Sequence, residues 1–365
     1  MNSAHEWRTL IEALRSLPHG APCRAALATI VRTRGSTFRR PGTRMLVFDD
    51  GRIVCELSGG CPQRDIVLRA QEAIVDGQPR MVSYNAESGL DVLMEMGCGG
   101  ELDVLIEPLV APRAIAFAEA LATCLDQRRS VWLATAYATA GRVSVPRHRI
   151  WCGDRLHYDE LGDDALAHAV AAAVAGRAST HPASLRLPAR GGETDVLVEP
   201  VAPPHRLVVI GGNTAALALA PVTDLLGWHI VVVDQDPGRL HAERLPPGAL
   251  AVCASPATVR EAVALDAHTS VIVMTHNVEQ DIAYLGALRD SPAAYIGALG
   301  SRERAERMRD DARFADVRQL HAPAGLDIGS ETPTEIALSV AAEILAVVNR
   351  RSGGFLHDRS GTLHG

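Results

Sequence analysis

Leu207-Val-Val-Ile-Gly-Gly-Asn-Thr-Ala-Ala216 is the stretch on which the fold turns. Four apolar residues read as a buried strand, the glycines as a tight turn, and the Ala/Leu-rich run to Leu226 as a helix: a first βα unit of dinucleotide-binding type. The next run, His229–Val233, is a strand ending in Asp234, about where such units carry a ribose-binding acid. Further apolar runs at Ala249–Cys253, Ser270–Met274 and Ala294–Ala298 are separated by helical stretches. Strands alternating with helices predict a parallel, doubly wound sheet. The last helix has a written start: Thr332 as N-cap, Pro333 at the first helical position and Glu335 two residues later form a capping box, and the helix runs on as Ile336–Val348. The C-terminal half is therefore Rossmann-like.

Upstream the pattern differs. Glu101-Leu-Asp-Val-Leu-Ile-Glu-Pro108 is echoed by Glu193-Thr-Asp-Val-Leu-Val-Glu-Pro200, each a β-rich run ended by proline. Two copies are too few for a solenoid, so both are read as strands of one α+β domain. Helices are expected at Trp7–Ser16, Asp65–Asp76, Arg113–Gln127 and Ala165–Gly176, and strands at Ala25–Thr33, Arg44–Phe48 and Val131–Tyr137. The expected plan is an N-terminal α+β domain over 1–200, a linker at 201–204, a Rossmann-like domain over 205–352 and a tail at 353–365.

The 365 residues include 47% hydrophobic and 22% charged, enough for two cores. A net charge of −7 gives no nucleic-acid footprint. No apolar run nears the roughly 18 residues of a membrane span, and the first residues lack a signal peptide's apolar segment. A cytoplasmic protein is expected. All 36 basic residues are arginine, which removes Schiff-base and P-loop lysine chemistry while keeping planar forks for phosphate or carboxylate. Seven cysteines, at 23, 55, 61, 98, 124, 152 and 253, contain no CxxC pair, so neither a disulfide framework nor a zinc site is indicated.

Four places, and two smaller signals after them, could carry chemistry. Arg32–Arg44 holds five arginines among glycine, proline and hydroxyl residues, which suits a phosphate-bearing ligand but equally a solvated hairpin. Ser58-Gly-Gly-Cys61 and Met96-Gly-Cys-Gly-Gly100 place cysteines where nearby amides could stabilise a thiolate, for sulfur or soft-metal chemistry; a small residue in a tight turn is the plainer reading of each. In the turn Gly211-Gly212-Asn213, asparagine stands where the fingerprint has its second glycine, and its side chain is expected to crowd the phosphate channel. Thr275-His276 with Asp281, and Gly300-Ser301-Arg302, lie at C-terminal strand ends, where open α/β sheets place ligands.

Together these motifs resemble the XdhC/CoxI family, accessory proteins of xanthine dehydrogenase and related molybdenum hydroxylases. The likeness lies in Arg34-Gly-Ser-Thr-Phe-Arg-Arg-Pro-Gly-Thr-Arg-Met45, Ser58-Gly-Gly-Cys61, Gly97-Cys-Gly-Gly100, Leu226-Gly-Trp-His229, Thr275-His276, Tyr295-Ile-Gly-Ala-Leu-Gly-Ser-Arg302 and Gly325-Leu-Asp-Ile-Gly-Ser-Glu-Thr-Pro-Thr-Glu-Ile-Ala-Leu-Ser339. The resemblance implies a chaperone that binds molybdenum cofactor, supports its sulfuration by a cysteine desulfurase and delivers it to the apo-hydroxylase, with self-association also implied. On that reading Arg34, Ser36, Arg39, Arg40 and Arg44 face the pterin phosphate, Gly60, Cys61, Cys98 and Gly99 lie at the cofactor, and Cys61 and Cys98 approach the metal. Gly211, Gly212, Asn213, Asp234, Thr275, His276 and Ser301 form a second binding set. The sequence departs from the family at Pro62-Gln63, where Val-Glu is usual, at Phe38, where proline is common, and at Asn213. The competing readings are an NAD(P)-dependent oxidoreductase, with His276 as proton donor, and a docking scaffold that holds no cofactor.

Overall fold

The computed structural model describes residues 2–18, 24–35, 37–57, 61–85, 100–177, 181–240, 242–311 and 320–358. Its contacts divide the chain between Pro203 and Pro204 into two units.

The first unit is one motif built twice. α1 (Ala4–Arg15), β1 (Ala25–Arg34), β2 (Arg44–Phe48), β3 (Ile53–Val54), α2 (Cys61–Asp76), β4 (Arg80–Tyr84) and β5 (Glu101–Pro108) are followed, in the same sequence of helix and strand, by α3 (Ala111–Asp126), β6 (Val131–Thr139), β7 (Arg142–Cys152), β8 (Arg155–Asp159), α4 (Asp164–Ala175), β9 (Ala183–Ala189) and β10 (Gly192–Val201). The sheets have matching strand orders, β3-β2-β1-β5-β4 and β8-β7-β6-β10-β9. The echoed segments are β5 and β10, at equivalent places, so the repeat in the sequence is the trace of a structural duplication.

Register makes the equivalence residue by residue. Leu27 pairs with Glu107 as Leu133 pairs with Glu199, and Thr29 pairs with Arg44 as Thr135 pairs with His148. One face of each sheet is covered by its own helix: Ile66, Ala70 and Ala73 of α2 sit on Ala28, Ile30 and Ile106, and Leu166 and Val170 of α4 sit on Ala134, Ala136 and Val198. Val31 and Leu105 of one sheet share a small core with Tyr137 and Leu197 of the other. α1 and α3 join Leu27 and Leu46 to Leu133 and Ile150 through Trp7, Leu10, Phe117 and Leu121. Ser3 and Glu6 close a capping box at the start of α1.

The second unit is the expected parallel sheet, with β11 (Arg206–Ile210), β12 (His229–Asp234), β13 (Leu250–Cys253), β14 (Thr269–Val273), β15 (Tyr295–Ala298) and β16 (Leu320–His321) in the order β13-β12-β11-β14-β15-β16. Between them run α5 (Thr214–Leu225), α6 (Val259–Ala262), α7 (Val278–Leu288) and α8 (Arg302–Asp310), and α9 (Pro333–Val348) closes the unit. Alternation along β11 sends Leu207 and Val209 to one face, under α5 and α9, and Val208 and Ile210 to the other, under α7 and α8. The order reverses between β11 and β14, which opens a crevice at their C-terminal ends. α9 starts as read: Thr332 accepts from the Glu335 amide and Glu335 accepts from the Thr332 amide.

Candidate functional site

The crevice is built by the turn after β11. Gly211 has φ +115, and a Cβ there would lie 2.8 Å from the Met274 carbonyl oxygen, so a side chain is excluded twice over. Its amide donates to Val233 at 2.8 Å. Asn213 does not crowd the channel. It has φ −114 and turns back as the N-cap of α5, accepting from the amides of Ala215 and Ala216 at 3.0 and 3.1 Å while its Nδ2 donates to Met274. That geometry satisfies amides the fingerprint would otherwise present to a pyrophosphate. Asp234 is similarly committed: Oδ2 accepts from the Gly212 amide and Oδ1 from the Asp236 amide, both at 2.9 Å. The Arg239 carbonyl covers Gly212 so closely that a Cβ there would stand 2.1 Å away.

The resulting cavity has a volume of about 650 Å³. Gly211, Gly212, Asn213, Asp234, Thr275 and His276 line it, as does Gly300, and Arg239, Arg244 and Arg304 join them. Ser301 is not among the lining residues; its Oγ caps α8 by accepting from the Arg304 amide. Behind the wall, Asp281 is fully buried. Its Oδ1 accepts from the Thr275 amide at 3.1 Å and from the Thr275 hydroxyl at 2.5 Å, while its Oδ2 pairs with the Arg304 guanidinium. Burial pushes the Asp281 carboxyl above its ordinary value, against the pull of Thr275 and Arg304. Arg304 also donates from Nη2 to the Thr275 carbonyl at 2.7 Å. No sequence motif singles out this arginine. Its signal is position: it stands three residues after the Ser301 cap, beside Gly300, at a strand end.

In the first unit the arginine loop does not converge. Arg34 lies 3.4 Å from Glu101; Arg39 pairs with Glu6 and donates to the Glu56 carbonyl at 3.0 Å; Arg40 reaches His181 at 3.5 Å. Arg44 cannot face a ligand, because it is the first residue of β2 and points into the protein. It has no exposed surface, pairs with Glu199 at 2.6 Å, lies 4.9 Å over the Trp7 ring and donates to the Gly42 carbonyl. The equivalent residue of the second copy, His148, pairs with Glu107 at 3.2 Å. Each copy thus supplies a nitrogen side chain to the other copy's glutamate, and the Thr135 hydroxyl touches both pairs, 3.4 Å from Arg44 and 3.1 Å from His148. The sequence marks this network too: a glutamate before proline at the same place in both echoes is a carboxylate inside an apolar strand, and it needs a partner.

Ser36, Gly60, Cys98 and Gly99 lie outside the described residues, and Cys61 is described only as the first residue of α2. Cys55, nearby in sequence, has φ +63, and burial beside Glu6 pushes its thiol up to about 11, which keeps it protonated at neutral pH. Among the described residues no group of three or more His, Cys, Asp or Glu could hold a metal ion, and no helix is long and apolar enough to cross a membrane.

A Rossmann unit with a crevice lined by arginines, preceded by a duplicated α+β unit, defines a two-part α/β protein. The XdhC Rossmann domain matches residues 207–344, and the XdhC and CoxI family matches residues 20–85, together more than half of the sequence. The chain belongs to the XdhC and CoxI family. It is 27% identical over 328 residues to a probable xanthine dehydrogenase subunit of Bacillus subtilis (strain 168), covering 89% of this chain and 94% of that one. It is 24% identical over 329 residues to the molybdenum cofactor insertion chaperone PaoD of Escherichia coli (strain K12), covering 88% and 83%. A crystal structure from Bacillus halodurans, described as a xanthine dehydrogenase, superposes with a TM-score of 0.77 at 25% identity, covering 96% of this chain and 97% of that one.

Proposed function

We propose that this chain is an accessory protein of a molybdenum hydroxylase of xanthine dehydrogenase type, which binds molybdenum cofactor and hands it to the apo-enzyme. The observation that carries this reading is the kinship, through both units, with a protein named as a molybdenum cofactor insertion chaperone. The crevice fits such a group in kind: it is nucleotide-sized, floored by backbone at Gly211 and Gly212, and edged by guanidinium donors. When bound, the cofactor brings the molybdenum centre that the client enzyme uses. Gly211, Gly212, Thr275 and His276 shape the binding surface of the second unit. Arg39 and Arg40, with Cys61 and Cys98, are the proposed contacts of the first, the cysteines on the metal side. Sulfuration by a cysteine desulfurase and self-association belong to the same reading. The chain acts here as a carrier, without turnover of its own. An NAD(P)-dependent oxidoreductase is disfavoured, because the Asn213 side chain caps the α5 amides that the fingerprint presents to a pyrophosphate.

The test is purification without oxygen from a host competent in molybdopterin synthesis, followed by assays for molybdenum and for oxidised, fluorescent pterin. Near-equal amounts of both are expected in the wild-type protein, with loss in Cys61→Ser/Cys98→Ser and in Arg39→Ala/Arg40→Ala. Absence of both from wild-type protein, and no uptake when the cofactor is supplied, overturns the reading.

A further inference from the structure

The crevice carries more cation than the dinucleotide fingerprint asks for. Arg239 and Arg244 follow β12, and Arg304 stands across from them beyond β15; all three line the same cavity. Their commitments differ. Arg239 has a long contact of 3.6 Å with Asp236, both side chains about half exposed, which is a weak pair in water. Arg244 is exposed and has no carboxylate partner among the described residues. Arg304 spends Nη2 on Asp281 and Thr275, while its Nε is buried without a hydrogen-bond partner. The buried Asp281 holds one side of this guanidinium and so fixes the direction of the rest.

Against these three cations the lining offers one carboxylate, Asp234, and both of its oxygens already accept backbone amides. Each oxygen keeps a second lone pair, but an anion so placed supplies no donor to a phosphate. The helix amides nearest the turn are capped by Asn213, so the end of α5 supplies none either. The charge available to a ligand therefore comes from side chains on two sides of the opening, and planar guanidiniums favour phosphate oxygens.

We infer that the crevice of the second unit binds a phosphorylated ligand of nucleotide size by its phosphates, through Arg239, Arg244 and Arg304. This rests on the geometry of the crevice and not on the accessory role, and it is tested with ligands other than the cofactor, so the two can fail separately.

The experiment is calorimetric titration of the full-length protein with ADP, inorganic pyrophosphate and adenosine at two salt concentrations. ADP and pyrophosphate are expected to bind and adenosine is not. Affinity falls as salt rises. The double variant Arg239→Gln/Arg244→Gln, at two exposed positions, weakens ADP at least tenfold. Arg304→Lys, which keeps the charge over Asp281, weakens it several-fold. Failure of both ADP and pyrophosphate to bind, adenosine binding as tightly as ADP, or no effect of the double variant would each overturn the inference. Circular dichroism of the variants must match wild type, and ADP binding to a correctly folded double variant at wild-type affinity is decisive against it.

Discussion

Replacing Arg44 by methionine removes the cation from a glutamate with 1% of its side chain exposed, 2.6 Å away. The aliphatic stem is largely kept, so packing over Trp7 changes little while the charge is lost. Removing one partner of a buried pair leaves the other charge uncompensated and costs about 3–5 kcal/mol; the lost contact with the Trp7 ring adds roughly 0.5–2 kcal/mol. Against a net stability of about 5–15 kcal/mol for a domain, that is a large share. The assay is urea unfolding followed by tryptophan fluorescence in a Trp228→Phe background, in which the remaining tryptophans, Trp7, Trp132 and Trp151, all lie in the first unit. At a slope of about 2 kcal/mol per molar urea, the midpoint falls by about 1.7–3.5 M. Arg44→Met/Glu199→Leu removes both charges and should regain most of that loss, because an apolar pair of similar volume is often as stable as a buried ion pair. A single variant that loses less than about 1 kcal/mol, or a double variant no more stable than the single, would refute the claim that Arg44 is a structural cation.

Three further outcomes follow from the second unit. Gly211→Ala forces a side chain into φ +115 and against the Met274 carbonyl, so thermal unfolding should show a loss of at least about 1–3 kcal/mol, with ADP binding reduced in parallel. Thr332→Ala deletes the N-cap of α9 and should cost about 1 kcal/mol, readable as faster amide exchange in its first turn. Glu343 is partly buried, which raises its carboxyl, but bonds from His321, Tyr295 and the Gly325 amide outweigh burial and hold it below the usual carboxylate range. A lowered folded-state value means stability that is present above about pH 4.5 and is lost as pH falls through the folded value. The acid arm of unfolding should therefore be shallower in Glu343→Gln, and an unchanged arm would contradict this.

Most of the second unit was legible because its signals are local. Strands that alternate with helices, and a capping box at Thr332, need no knowledge of distant contacts. In the first unit the echo marked two equivalent strands, yet several of their neighbours went unread. β7 and β9 mix polar with apolar residues because each is partly exposed, and β3 is two residues long. The fate of single side chains was least legible. Arg44 and Arg39 sit five residues apart in one basic loop, but one enters the core and the other meets Glu6, because strand pairing fixes where each side chain points. Composition could say that the loop was cationic; it could not say that its charges were already answered by Glu6, Glu101 and Glu199. In the crevice the reverse held, since Arg304 lies far in sequence from Arg239 and Arg244, yet all three meet at the opening of one sheet.

The most direct test of the accessory role is transfer. Protein loaded with molybdenum cofactor is mixed with a cofactor-free hydroxylase of xanthine dehydrogenase type, and substrate turnover by the hydroxylase is followed after the two are separated. The account predicts activity and molybdenum in the hydroxylase and a matching loss of both molybdenum and pterin from this chain. Hydroxylase that gains no more activity than it does from free cofactor, with the metal still on this chain, would contradict it.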